Sequence, residues 1–141
     1  MGRRINDKFI KAYQELDRLC CEKFGVSTSG VTEYINRLNN ARFAPDRDQV
    51  LPRLVKYRNI RNLFAHEPGA VRKNDELVKD DVKWVVHFKR DVQKKRDPIS
   101  KYLRKARRFA RNRKIRRVLI TVLIVLVILA IIAGVAFLML K

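Results

Sequence analysis

Apolar residues recur at helical spacing through most of the chain. From Ile5 to Phe24 the positions Phe9, Ala12, Tyr13, Leu16, Leu19 and Cys20 share one face. That pattern predicts a first helix, ended by Gly25 and the polar loop Ser27-Thr28-Ser29-Gly30. A second, shorter helix is predicted from about Val31 to Ala41, with Val31, Tyr34, Ile35 and Leu38 inward, Glu33 in its first turn, and Thr28 or Ser29 as its cap. A third runs from about Asp48 to His66. Pro52 lies in its first turn, where a missing N–H is tolerated, and Glu67-Pro68-Gly69 stops it. A fourth covers about Leu77 to Lys95, carrying Val78, Val82, Trp84, Val85, Val86, Phe88 and Val92, and Asp97-Pro98 breaks it. No segment alternates with strand period. The expectation over residues 1–97 is a small all-α bundle of four to five helices.

Past Pro98 the pattern changes twice. Residues 98–117 read as a basic amphipathic helix, with Ile99, Tyr102, Leu103, Ala106, Phe109 and Ala110 on one face. From Val118 to Leu140 the chain is apolar without a single charge, a run of 23 residues. At about 1.5 Å per residue such a helix covers roughly 35 Å, enough to cross about 30 Å of hydrocarbon. A bundle of about 100 residues is too small to bury it on every face. The expectation is therefore one transmembrane helix over 118–140.

Charge sharpens that reading. The chain of 141 residues carries 33 Lys+Arg against 14 Asp+Glu, a net +19. Residues 1–97 hold 22 of the basic residues and all 14 acids, a balance of +8, and the remaining +11 lies in residues 98–141. Ten of those eleven precede the apolar run: Lys101, Arg104, Lys105, Arg107, Arg108, Arg111, Arg113, Lys114, Arg116 and Arg117. By the positive-inside rule the segment 1–117 stays cytoplasmic, and the chain is expected to be a single-pass cell-membrane protein anchored through its C-terminal part. The basic stretch would meet anionic lipid headgroups, and RNA is a second candidate because Tyr102 and Phe109 are interleaved with arginines. The start MGRRINDKFI has no apolar run for a signal peptide, and Gly2 lacks the Ser or Thr of a myristoylation signal. Cys20 and Cys21 are adjacent, too few for a metal site and poorly placed to bridge each other. No metal or cofactor is indicated, and with 5 glycines no phosphate-cradling loop is either.

Candidate chemistry concentrates in the third helix, at Tyr57-Arg58-Asn59-Ile60-Arg61-Asn62-Leu63-Phe64-Ala65-His66. On a helical wheel Val50, Leu54, Tyr57, Ile60 and Phe64 form an apolar arc, and Arg61 falls near its middle. A charge aimed at a core needs a partner, an interface or a function. Asn62 shares a face with His66, four residues on, and Arg58 points near Asn62. Arginine offers a planar fork for phosphate, histidine titrates near neutrality, and asparagine can orient the ring or a ribose hydroxyl. Together they could cleave RNA without a metal, with a dimer cleft pooling two sets. The structural counterpart is an Arg61 ion pair with Asp17, Glu22 or Glu33, and a His66 that merely bonds the last helix carbonyls. His87, within Trp84-Val85-Val86-His87-Phe88, reads as a packed or surface residue, and Trp84 as core.

Arg61-Asn62-x-x-x-His66 resembles the R-polar-x(3–5)-H motif of the HEPN superfamily, and the region from about Val31 to Ala70 is similar to uncharacterised bacterial members. The resemblance spans about residues 5–97. It implies a HEPN-like four- or five-helix bundle that dimerises and acts as a metal-independent endoribonuclease, often as a toxin held by an antitoxin or as a phage-defence effector. Carried onto this chain it implies that Arg61 stabilises the scissile phosphate, Asn62 positions His66 or substrate, and His66 transfers a proton, with Arg58 positioning substrate. The membrane helix departs from the commonest soluble members. A non-catalytic, membrane-anchored dimerisation or adaptor protein is the alternative.

Overall fold

The structure is a computed structural model and describes residues 2–67, 69–73 and 76–139. The described residues are all-helical. Six helices follow in order: α1 (Gly2–Phe24), α2 (Gly30–Asn40), α3 (Arg47–His66), α4 (Ala70–Lys73), α5 (Lys79–Gln93) and α6 (Pro98–Met139). The short α4 falls in what reads in the sequence as a polar connection. Pro68 of the helix-stop signal, and Leu140 with Lys141, lie outside the described residues.

α1 is the central element, packed against α2, α4 and α5, while α3 lies on α2. Its Phe9, Tyr13, Leu16 and Cys20, at helical spacing, meet Val31, Tyr34 and Leu38 of α2, Leu54, Tyr57 and Ile60 of α3, and Val85, Phe88 and Val92 of α5. Trp84 is half-buried and lies flat on Phe88, rings 5.0 Å apart and 5° from parallel. His87 is exposed.

The α1–α2 junction shows why this loop reads as it does. Gly25 and Ser29 both take left-handed backbone conformations, at φ 68° and 57°. Ser29 occupies the cap position of α2 but makes no side-chain cap bond. Asp17 of α1 does that instead: its Oδ1 accepts the Val31 N–H at 2.8 Å. The close approach that permits this depends on Gly30, where a Cβ would collide with the backbone of Asp17, Cys20 and Cys21.

A second hub is built on Asp97, the residue that in the sequence is only a helix breaker. Its side chain is 0% exposed and pairs with Lys23, whose Nζ donates to both carboxylate oxygens at 2.8 Å. Tyr34 Oη donates to the same carboxylate at 2.8 Å, and the Ser100 N–H at 3.2 Å, so Asp97 also caps α6. Pro98 is buried, and Ile99 joins the core at 4% exposure. The first compact unit accordingly extends to Leu103, and the second comprises residues 104–141. Within the second unit the described part of α6 is exposed throughout, and α6 is the one helix among the described residues long and apolar enough to cross a membrane.

Candidate functional site

Arg61 is exposed, contrary to its place on the helical wheel. The buried residues of α3 are Leu54, Tyr57 and Ile60. Steps of three residues fall short of a full turn by about 60° each, so this stripe drifts round the helix as it advances. By the last turns the core side is marked by Ile60 and half-buried Phe64, and Arg61 has rotated off it. The expected buried ion pair is therefore absent. Among the described residues no carboxylate pairs with Arg58 or Arg61, whose guanidinium groups reach only neighbouring amides, Arg58 to Asn59 Oδ1 at 3.4 Å and Arg61 to Asn62 Oδ1 at 3.3 Å.

Arg58, Arg61 and Asn62 instead line an open cleft of about 360 Å³ against α1 and the α1–α2 loop. Across from them α1 contributes Tyr13, Gln14, Asp17, Arg18 and Cys21, at the spacing of one helix face. The loop and the start of α2 add the hydroxyls of Ser27, Thr28, Ser29 and Thr32. The cleft is thus lined by three guanidinium groups and one carboxylate. Arg18 also reaches Glu22 at 3.9 Å, across a side where both side chains are largely exposed. Tyr13 forms the buried wall. Burial and then Asp17 push its phenol well above the usual value, while Arg61 and Arg58 pull against them. Tyr13 is therefore a neutral wall rather than a base. Sequence reasoning missed the contribution of α1: Gln14 and Arg18 look like an ordinary solvated face until α3 is laid beside it.

His66 is exposed in the last turn of α3 and does not line this cleft. One chain therefore brings Arg58, Arg61 and Asn62 together without His66. The bond expected from His66 to the last carbonyls is also not what ends the helix: the Glu67 N–H donates to Leu63 O at 2.9 Å. Among the described residues no three His, Cys, Asp or Glu side chains cluster to hold a metal. Cys20 is fully buried, and its thiol is raised by that burial to about 12, whereas Cys21 is half-buried at the cleft. Burial makes Cys20 the inert core residue expected, and Cys21 only partly so.

In the basic stretch, Arg104, Lys105, Arg107, Arg108, Arg111, Arg113, Lys114, Arg116 and Arg117 are exposed. Lys101 is drawn out of that set by Asp46, before α3, whose Oδ2 accepts from its Nζ at 2.7 Å. Phe109 and Ile115 are 75% and 50% exposed among the cations, leaving an apolar element on a basic helix.

No curated protein and no solved structure matches the chain. Residues 7–118, which take in the whole bundle and the basic stretch as far as the first residue of the apolar run, match a family of unknown function, DUF6548, and the chain belongs to that family.

Proposed function

We propose that this protein is a membrane-anchored, metal-independent endoribonuclease of the kind the HEPN resemblance implies, acting on RNA as a homodimer. The observation that carries the reading is the pair Arg58 and Arg61, side by side in an open polar cleft with no acidic partner. Guanidinium groups without a structural counter-ion are available to a phosphate. In this reading a base takes the proton of a ribose 2′-OH, whose oxygen attacks the adjacent phosphorus. Arg61 stabilises the charge of the phosphorane, and His66 gives a proton to the departing 5′-oxygen. The exposure of His66 at the end of the same helix leaves it accessible to a second chain, which would complete the set.

The apolar part of α6 would hold the bundle at the membrane, with residues 1–117 cytoplasmic and the basic stretch on anionic lipid. A toxin or phage-defence role, restrained by an antitoxin or other regulatory partner, fits such a nuclease. One observation favours a non-catalytic adaptor instead: His66 lies outside the arginine cleft. The two readings separate on the full chain in detergent micelles, incubated with RNA and a chelator. The nuclease reading expects cleavage that is lost in both Arg61→Ala and His66→Ala while helicity and dimerisation persist. Absence of cleavage by the parent chain refutes it and leaves the adaptor.

A further inference from the structure

The cleft carries more positive charge and more donors than a phosphodiester needs. Arg18, Arg58 and Arg61 against Asp17 leave a surplus of two positive charges. Asp17 is further engaged, its Oδ1 holding the Val31 N–H at 2.8 Å. A phosphodiester in an RNA chain has one negative charge and two free oxygens. A phosphomonoester carries about −1.5 to −2 at neutral pH and presents three oxygens. The hydroxyls of Ser27, Thr28 and Thr32 lie opposite the arginines and supply neutral donors for the third oxygen. The volume, about 360 Å³, exceeds that of a bare phosphate and falls in the range of small-molecule sites.

We propose that the α1–α3 cleft binds a terminal phosphate, the phosphomonoester of a nucleotide or of a nucleic-acid 5′ end, in preference to an internal phosphodiester. The inference deepens the proposed function, because it uses Arg58 and Arg61 of the same site and names the phosphate they are matched to. Arg18 and Thr32 become selectivity residues, contributed by α1 and α2 rather than by the α3 motif. A consequence follows for the order of reactions. Attack by a 2′-OH leaves a 5′-hydroxyl, so products of this chemistry would not occupy the cleft. Its ligands would come from a different class of reaction, a hydrolysis that leaves the phosphate on the 5′ side.

The test is binding, kept apart from cleavage. The full chain in detergent micelles is titrated against a fluorescent DNA octamer, which has no 2′-OH to react, carrying either a 5′-phosphate or a 5′-hydroxyl. The basic stretch contributes equally to both, so their ratio reports the cleft. The 5′-phosphate form is expected to bind roughly tenfold tighter, the scale of one charge-assisted hydrogen bond. Arg18→Gln and Thr32→Val should each shrink that ratio and leave the affinity of the 5′-hydroxyl form unchanged. Competition by adenosine 5′-monophosphate, but not by adenosine, would identify a free nucleotide as ligand, and competition by the phosphorylated strand alone would identify a chain end. Both results support the site. Equal binding of the two octamers, or a preference that survives Arg18→Gln and Thr32→Val together, overturns it. A chain that cleaves RNA without the preference retains the proposed function and loses this inference, and one with the preference but no cleavage does the reverse.

Discussion

Asp97→Ala is the substitution whose cost can be worked most directly from the geometry. The parent carboxylate is 0% exposed and accepts from Lys23 Nζ, Tyr34 Oη and the Ser100 N–H. Removing it strands a cation whose side chain is only 19% exposed. Breaking a buried pair from one side costs about 3–5 kcal/mol. The lost cap of α6 and the unpaired Tyr34 hydroxyl act through the same network and are not simply added. Lys23 retains Ser100 Oγ at 3.0 Å, which places the expected loss near the lower figure, about 3 kcal/mol. That is a large part of the 5–15 kcal/mol typical of a domain. Urea unfolding of the full chain in micelles measures it, with Trp84, the one tryptophan of the sequence, reporting on the bundle. A loss below about 1 kcal/mol, the range of an exposed pair, would refute the hub. Replacing both partners, as Lys23→Met with Asp97→Asn, should restore much of the loss, because no buried charge is then left alone.

The same residue predicts an acid limb. Burial alone would raise the Asp97 carboxyl, but the bonds from Lys23 and Ser100, the Lys23 charge and the Tyr34 hydroxyl together hold it below its ordinary value. A group depressed in the folded state stabilises it fully above the ordinary carboxylate range. That contribution is lost as pH falls through the depressed value, so it should fade below about pH 4. The Asp97→Asn chain should lack this part of its acid sensitivity.

Three further outcomes follow from packing. Gly30→Ala should cost about 1–3 kcal/mol in the same unfolding assay, because its Cβ meets the α1 backbone rather than a movable side chain. Arg61→Ala and His66→Ala should each change stability by less than about 0.5 kcal/mol, since both side chains are exposed, and a larger loss would restore a structural role. A maleimide at mildly alkaline pH should label Cys21 in the folded chain and reach Cys20 only after unfolding, as mass spectrometry of peptides would show.

Much of the fold is legible in the residues because the helices are separated by Gly25, Pro45 and Asp97-Pro98, and their apolar faces keep helical period. The boundaries that shift have local reasons. α2 is capped from a distance by Asp17, which no reading of Ser29 reveals. Arg61 illustrates the limit of a wheel, which assumes that one face stays inward along a whole helix. On α3 the stripe at Leu54, Tyr57 and Ile60 advances by threes and carries the core side away from Arg61. The arginine and its neighbours on α3 could be picked from the sequence, but the partners across the cleft could not. Arg18 and Thr32 lie 43 and 29 positions before Arg61, and only the packing of α1 and α2 brings them to it.

The way α6 begins sets where the polypeptide can be cut. Composition invites a soluble fragment ending at Asp97, just ahead of the basic stretch. Such a truncation would keep the Asp97 carboxylate but delete the Ser100 N–H it caps, and would strip buried Pro98 and Ile99 from the core. A fragment carried through Leu103 retains the whole compact unit and still ends before the apolar run. Proteolysis should draw the same line, sparing the peptide bonds of residues 97–100 in the folded chain and opening them only when the bundle comes apart.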